Sequence, residues 1–198
     1  MSRTPPMTPL DRRVQLLAAA RKVFAERGYH KAGVSHIIRE AGVARGTFYN
    51  YFDSKRAVFQ QVLDDLTETL VNIARPIDLS ASVPEQVHAN IVRLIEAVMQ
   101  PEVPRLLFAE AVGIDAEGDE ELRRFYDKAE ERLAGSLKQG QLAGIVRPGN
   151  ARLMARCMIG MVKEPVFLSA LHGEHLDPHE FVAEFTATLA GGMLQVEL

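Results

Sequence analysis

Arg45, Thr47, Tyr49, Asn50, Tyr51 and Lys55 stand within a short stretch of this 198-residue chain, and together they offer hydrogen-bonding chemistry suited to a nucleic acid. An arginine can hold a guanine edge at two points, an asparagine an adenine edge, and a threonine methyl can touch thymine. Tyrosine hydroxyls and a lysine suit phosphates, which fix register without reading sequence. Lys55 also opens a helix, where backbone N–H groups add a second attraction for phosphate.

Such side chains are useful only if something presents them on one surface. The periodicity predicts a short helix from about Val34 to Ala41, a permissive turn at Gly42, and a further helix from Ala44 to Tyr51. Two helices joined by a tight glycine turn form a helix-turn-helix, whose second helix can enter the DNA major groove. Val34, Ile37, Ile38, Ala41, Val43 and Phe48 are the small or apolar residues that such a crossing needs. Arg45, Gly46, Thr47, Tyr49, Asn50 and Tyr51 are then left on or near the outward side. The spacing of Phe48 and Phe52 marks both as core residues.

Around this unit the signals are helical. Thr8-Pro9 reads as an N-cap followed by proline at the first helical position. Leu10, Val14, Leu17, Ala18 and Phe24 recur at helical spacing up to Gly28. Asp53-Ser54 caps a fourth helix of about residues 55–74, with Val58, Val62, Leu66 and Leu70 on one face. After a linker from Arg75-Pro76 to Val83-Pro84, helices are expected over Glu85–Met99, Arg105–Val112, Asp119–Ala143, Asn150–Leu171 and Pro178–Met193. Pro101 and Pro104 should separate two of them, and Pro165 should kink another. The fold expected is all-α, with about nine helices in two domains. Residues 1–56 form a three-helix DNA-binding domain, and residues 57–198 a helical domain for ligand binding and dimerisation.

Composition agrees. Apolar residues make up 47% and charged residues 25%, which excludes a disordered or fibrous chain. The net charge of -3 hides a division. Residues 1–56 hold 11 Lys+Arg against 4 Asp+Glu, a balance of +7, whereas residues 57–198 hold 12 against 22, a balance of -10. A basic part suits a polyanion and an acidic part does not. Cys157 is the one cysteine, so no disulfide can form within the chain, and a reducing cytoplasm is the expected setting. The N-terminus lacks the apolar core of a signal sequence. No apolar run approaches the ~18 residues of a membrane span.

The stretch from Leu10 to Leu63 resembles the TetR/AcrR family of bacterial one-component repressors. The resemblance rests on Phe24-Ala-Glu-Arg-Gly-Tyr29, Val34-Ser-His-Ile37, Ala41-Gly-Val-Ala-Arg-Gly-Thr-Phe-Tyr49, Tyr51-Phe-Asp-Ser-Lys55 and Val58-Phe59. Several coordinated motifs make it specific. It implies base contacts at Ser35, Arg45, Gly46, Thr47 and Asn50, and phosphate contacts at Tyr49, Tyr51 and Lys55 with help from His36. It also implies a dimer through the last two helices, a partly palindromic operator on double-stranded DNA, and a small-molecule pocket enclosed by the preceding helices. Ligand binding would rearrange the fourth helix and release the DNA. Two departures stand out. Ala32-Gly33 replaces the hydroxyl residue that usually caps the second helix, and Ala44 replaces a frequent serine.

The acidic part offers weaker signals. Arg105, Phe108 and Met158 are the residues expected to meet an apolar or amphipathic effector, with Glu110, Arg124, Tyr126, Arg156 and Lys163 as further polar groups able to orient one. Met154, Met158, Met161 and Ile159, with Phe181, Phe185 and Leu189, supply more apolar surface than one helix pair needs. The run His172-Gly-Glu-His175-Leu-Asp-Pro-His179 could hold a metal as a short loop, but as a solvated connection it needs none, and no metal or other cofactor is expected. Cys157 is expected to be buried and inert. No nucleophile–base pair, phosphate loop or carboxylate pair argues for an enzyme. A metal- or ligand-sensing module acting through protein interaction is the alternative, and the basic N-terminal part speaks against it.

Overall fold

The computed structural model describes residues 8–108 and 116–192. Its regular structure is nine α-helices among these residues: α1 (Pro9–Lys31), α2 (Val34–Ala41), α3 (Arg45–Tyr49), α4 (Lys55–Ile73), α5 (Val83–Val98), α6 (Glu102–Phe108), α7 (Ala116–Leu142), α8 (Ala151–His172) and α9 (Pro178–Gly192). Among the described residues, no helix is long and apolar enough to cross a membrane. The chain divides into two compact units. One is drawn from residues up to 65 and from 105–122, the other from 66–104 and from 123 onward.

In the first unit, α1 begins as its sequence dictates. Thr8 caps it, the Asp11 N–H donates to Thr8 Oγ1 at 3.2 Å, and the Asp11 carboxylate accepts from the Thr8 N–H in return. The buried face takes in only part of the apolar set that recurs at helical spacing. Leu16, Ala19, Ala20, Val23 and Phe24 are buried, while Leu10, Val14 and Ala18 are exposed. Gly28 departs from helical geometry at φ 71°, and the chain then runs helically to Lys31. Phe24, Tyr29 and Phe59 form an aromatic centre, with ring centroids 4.9 Å apart for Phe24–Phe59 and 4.7 Å for Tyr29–Phe59. Such offset or tilted pairs are favoured over stacked faces.

Helix α2 has its expected bounds and ends at Gly42, whose φ of 63° and ψ of 33° lie in the left-handed region. The Gly42 and Val43 N–H groups donate back to Arg39 O and Ile38 O, both at 3.2 Å, satisfying carbonyls that the helix end exposes. Helix α3 is shorter than expected. Ala44 is its N-cap and Asn50 its C-cap, and Tyr51 lies beyond it. Ser54 Oγ accepts from the Ala57 N–H at 3.0 Å and starts α4.

In the second unit, Pro104 does not separate two helices but sits within the first turn of α6. A first-turn N–H has no partner inside the helix, so its loss there costs little. Pro165 lies within α8, which continues to His172. Helix α5 packs against α9, and Ile91, Ile95, Phe181, Phe185 and Leu189 are buried. Ala134, Leu137, Ile145, Val146, Met154 and Ala155 form a core joining α7, the following turn and α8. Gly140 allows that turn to close, because a Cβ there would lie 2.7 Å from Val146 Cγ2.

A buried carboxylate fastens the same two helices. Glu130 on α7 accepts from Arg152 Nε at 2.7 Å and from Arg156 Nε at 2.6 Å. The arginines lie one turn apart on α8, so one carboxylate bridges both. Hydrogen bonds from Arg156 and then Arg152 hold the Glu130 carboxyl below its ordinary value of 4.5. A carboxyl lowered by folding stabilises the fold above its unfolded pKa and loses that contribution as pH falls through the folded value. Urea midpoints of wild type and Glu130→Gln are therefore expected to differ at about pH 7 and to converge in acid. Equal midpoints at neutral pH would show that the bridge contributes nothing.

Candidate nucleic-acid interface

Helix α1 holds α2, and α2 holds α3. Gln15 on α1 donates through Nε2 to Ala41 O at 2.8 Å, satisfying a carbonyl at the end of α2. Lys22 pairs with Glu40 at 2.6 Å. The Arg13 guanidinium lies 5.4 Å from the Phe52 ring centroid, and its Nη2 donates to Gln61 Oε1 at 2.9 Å. Ile37, Ala41, Phe48 and Phe52 are buried, whereas Val34, Ile38 and Val43 are half-buried. The helix-turn-helix is thus fixed from beneath by both apolar and polar contacts.

On the outer side, Ser35, Arg45, Gly46, Tyr49 and Asn50 are exposed, and His36, Thr47, Tyr51 and Lys55 are half-buried. The Arg45 guanidinium lies 5.8 Å from the Tyr49 ring centroid. The two residues are one helical turn apart, so the aromatic face restrains the arginine without using its donors. Phe48, fully buried beside Tyr49 with centroids 5.4 Å apart, fixes that aromatic in turn.

The two departures from the family pattern have different outcomes. At Gly33 no side chain accepts from the first turn of α2, but His36 returns the other half of a capping box, its Nδ1 accepting from the Gly33 N–H at 3.0 Å. At Ala44 neither half is present, and α3 begins without a side-chain cap.

Lys55 is engaged within the protein. Its Nζ donates to Tyr29 O at 2.9 Å and lies 4.0 Å from the Tyr29 ring centroid. This tie joins residues 26 positions apart, and no local spacing signals it. Gln15 escaped the sequence reading for the same reason.

The other candidate residues scatter. Arg105 is exposed on α6, and the side chain of Phe108 and all of Glu110 lie outside the described residues. Met158 is half-buried against the α7–α8 core. Tyr126 has a buried hydroxyl with no hydrogen-bond partner, and burial pushes its pKa up. Lys163 Nζ lies 5.5 Å from its ring centroid. His172 approaches Glu174 at 3.8 Å, but among the described residues no three metal-ligating side chains, those of His175 and His179 included, come together. Cys157 is exposed rather than buried.

Lys55 and Tyr29 should be energetically coupled. A double-mutant cycle with Lys55→Met and Tyr29→Leu is expected to give about 1 kcal/mol of interaction by denaturant unfolding. Additive losses would mean that the contact carries no energy.

Residues 16–62 match the family model of bacterial regulatory proteins of the tetR family. YdgC of Bacillus subtilis, an uncharacterised helix-turn-helix-type transcriptional regulator, is 26% identical over 187 residues, covering 93% of this chain and 94% of that protein. FasR of Mycolicibacterium smegmatis, a helix-turn-helix-type transcriptional activator, is 43% identical over 65 residues, covering 33% of this chain and 30% of that protein. The fold is shared with the transcriptional regulator FadR of Bacillus subtilis, solved in complex with stearoyl-CoA. The TM-score is 0.76 at 23% identity, over 90% of this chain and 98% of that one. The matched residues include α2, the Gly42 turn and α3, the elements that hold Arg45, Tyr49 and Asn50 outward. Residues 16–62 therefore carry the DNA-binding domain of the tetR family of bacterial regulatory proteins, and the chain is similar over nearly its whole length to a helix-turn-helix-type transcriptional regulator.

Proposed function

We propose that this protein is a dimeric repressor of the cytoplasm that reads a partly palindromic operator and is released from it by a small apolar or amphipathic effector. The reading is carried by the exposure of Arg45, Tyr49 and Asn50 beside a fully buried Phe48. In this reading Ser35, Arg45, Gly46, Thr47 and Asn50 face base edges, and His36, Tyr49, Tyr51 and Lys55 face phosphates. Residues 1–56 serve DNA binding, and residues 57–198 serve ligand binding and assembly. Lys55, with one bond already given to Tyr29 O, still has N–H donors for a phosphate.

The argument for a dimer lies on the outer faces of the last two helices. Leu153, Cys157, Gly160, Glu164, Leu168 and Leu171 are exposed on α8, at spacings that put them on one face. Ala183, Ala187 and Gly191 do the same on α9. Phe181, Phe185 and Leu189, by contrast, are spent inside the chain. A face of leucines and small residues suits close helix packing about a two-fold axis, and a two-fold dimer would set its α3 helices about one DNA turn apart. For the effector, the FadR complex with stearoyl-CoA favours an amphipathic molecule, with Arg105, Phe108 and Met158 as the residues to test.

Binding to the upstream DNA of its own gene is expected to fall steeply with salt, as several phosphates release counterions. Arg45→Ala or Asn50→Ala should cost about 1–3 kcal/mol on the operator and little on random DNA, by fluorescence anisotropy. Equal losses on both sequences would remove their base-reading role. Leu168→Asp should shift sedimentation towards monomer and weaken operator binding, and an unchanged oligomeric state would exclude this face.

A further inference from the structure

The segment after α4 is fastened to α5 by two amide side chains one helical turn apart. Asn90 accepts from the Arg75 N–H at 2.9 Å and donates through Nδ2 to Arg75 O at 2.8 Å. Gln86 accepts from the Asp78 N–H at 2.8 Å and donates through Nε2 to Asp78 O, also at 2.8 Å. Each amide thus satisfies both polar groups of one peptide position, as a neighbouring β-strand would. The connection is held in register although it has no regular structure of its own.

Between this segment and α5 lies a groove of about 280 Å³ lined by Arg75, Glu85 and Arg93, with Pro76 and Ala89 as apolar lining. Asn90 also accepts from Arg93 Nη1 at 2.8 Å. One asparagine therefore fixes the backbone of one lining arginine and the guanidinium of the other. The Arg75 guanidinium has no partner among the described residues, and Arg93 keeps N–H donors beyond the one given to Asn90. Two guanidinium groups on a preformed concavity match a planar or tetrahedral oxyanion, which each can grip through paired N–H donors. Because the groove is already ordered, little conformational freedom is lost on binding. Glu85, exposed and without a partner among the described residues, is the one carboxylate in the lining and opposes a second negative charge.

We infer that this groove binds a small molecule bearing a phosphate or carboxylate group. It is formed by none of the residues proposed above for the effector. The chemistry common to both sources is an oxyanion, and two probes tell them apart.

Full-length protein is titrated calorimetrically with inorganic phosphate and, separately, with succinate at constant ionic strength. Saturable binding of phosphate assigns a phosphate-bearing ligand, and saturable binding of succinate assigns a carboxylate. An Arg75→Gln/Arg93→Gln double variant is expected to bind about tenfold more weakly or worse. Glu85→Gln, which leaves the Asn90 contacts intact, is expected to bind more tightly. Failure of wild type to bind either probe, or wild-type affinity in the double variant, overturns the inference. So does weaker binding by Glu85→Gln. Affinity for upstream DNA, measured on the same preparations without probe, separates the two readings: protein that binds DNA but neither probe refutes the groove alone.

Discussion

A helix of five residues has no stability of its own. Nucleating a helix fixes several residues for one hydrogen bond, and isolated helices shorter than about 12–15 residues are marginal in water. Helix α3 exists because Phe48 is fully buried and because the Gly42 turn delivers the chain to that burial at a fixed angle. Everything on the outer surface depends on this one anchor. Arg45 rests on Tyr49, Tyr49 rests edge-on against Phe48, and Phe48 rests on the core. The order of support runs from core to surface, so the exposed side chains inherit a rigidity that the short helix could not supply.

Much of this was legible in the residues themselves. Helix α2 has the bounds its periodicity predicted, Thr8-Pro9 starts α1, and Phe48 and Phe52 are core. These features are local, fixed by cap chemistry and by apolar spacing within a turn or two. The errors share a different cause. Helix α3 ends at Tyr49, where the Tyr51 N–H turns back only three residues to Phe48 O at 3.0 Å and tightens the last turn, although the spacing alone allowed the helix to continue. Leu10, Val14 and Ala18 keep a helical period but face outward, since periodicity finds a stripe without saying what it meets. Cys157 has apolar helix neighbours and no adjacent base, which suggests burial, yet it is exposed. It lies on a face that the single chain leaves uncovered.

Long-range polar contacts were the least legible. Lys55 to Tyr29, Gln15 to Ala41 and Glu130 to its two arginines all join residues more than twenty positions apart. Each involves a side chain whose type is ordinary on a helix surface, so nothing in the sequence distinguishes it from a solvated neighbour. Their effect is nevertheless structural. Lys55 secures the start of α4 to the end of α1, and Glu130 secures α7 to α8.

The hydrogen bond between Gly33 and His36 decides something about the imidazole that its exposure does not. A ring nitrogen that accepts the Gly33 N–H at 3.0 Å carries no hydrogen, so in the neutral ring the hydrogen sits on Nε2. The tautomer is therefore set by the backbone of the helix cap. The half-buried ring is left able to give a hydrogen bond but not to receive one. Whatever meets it from outside must bring an acceptor, and a donor in that place would find nothing to bind.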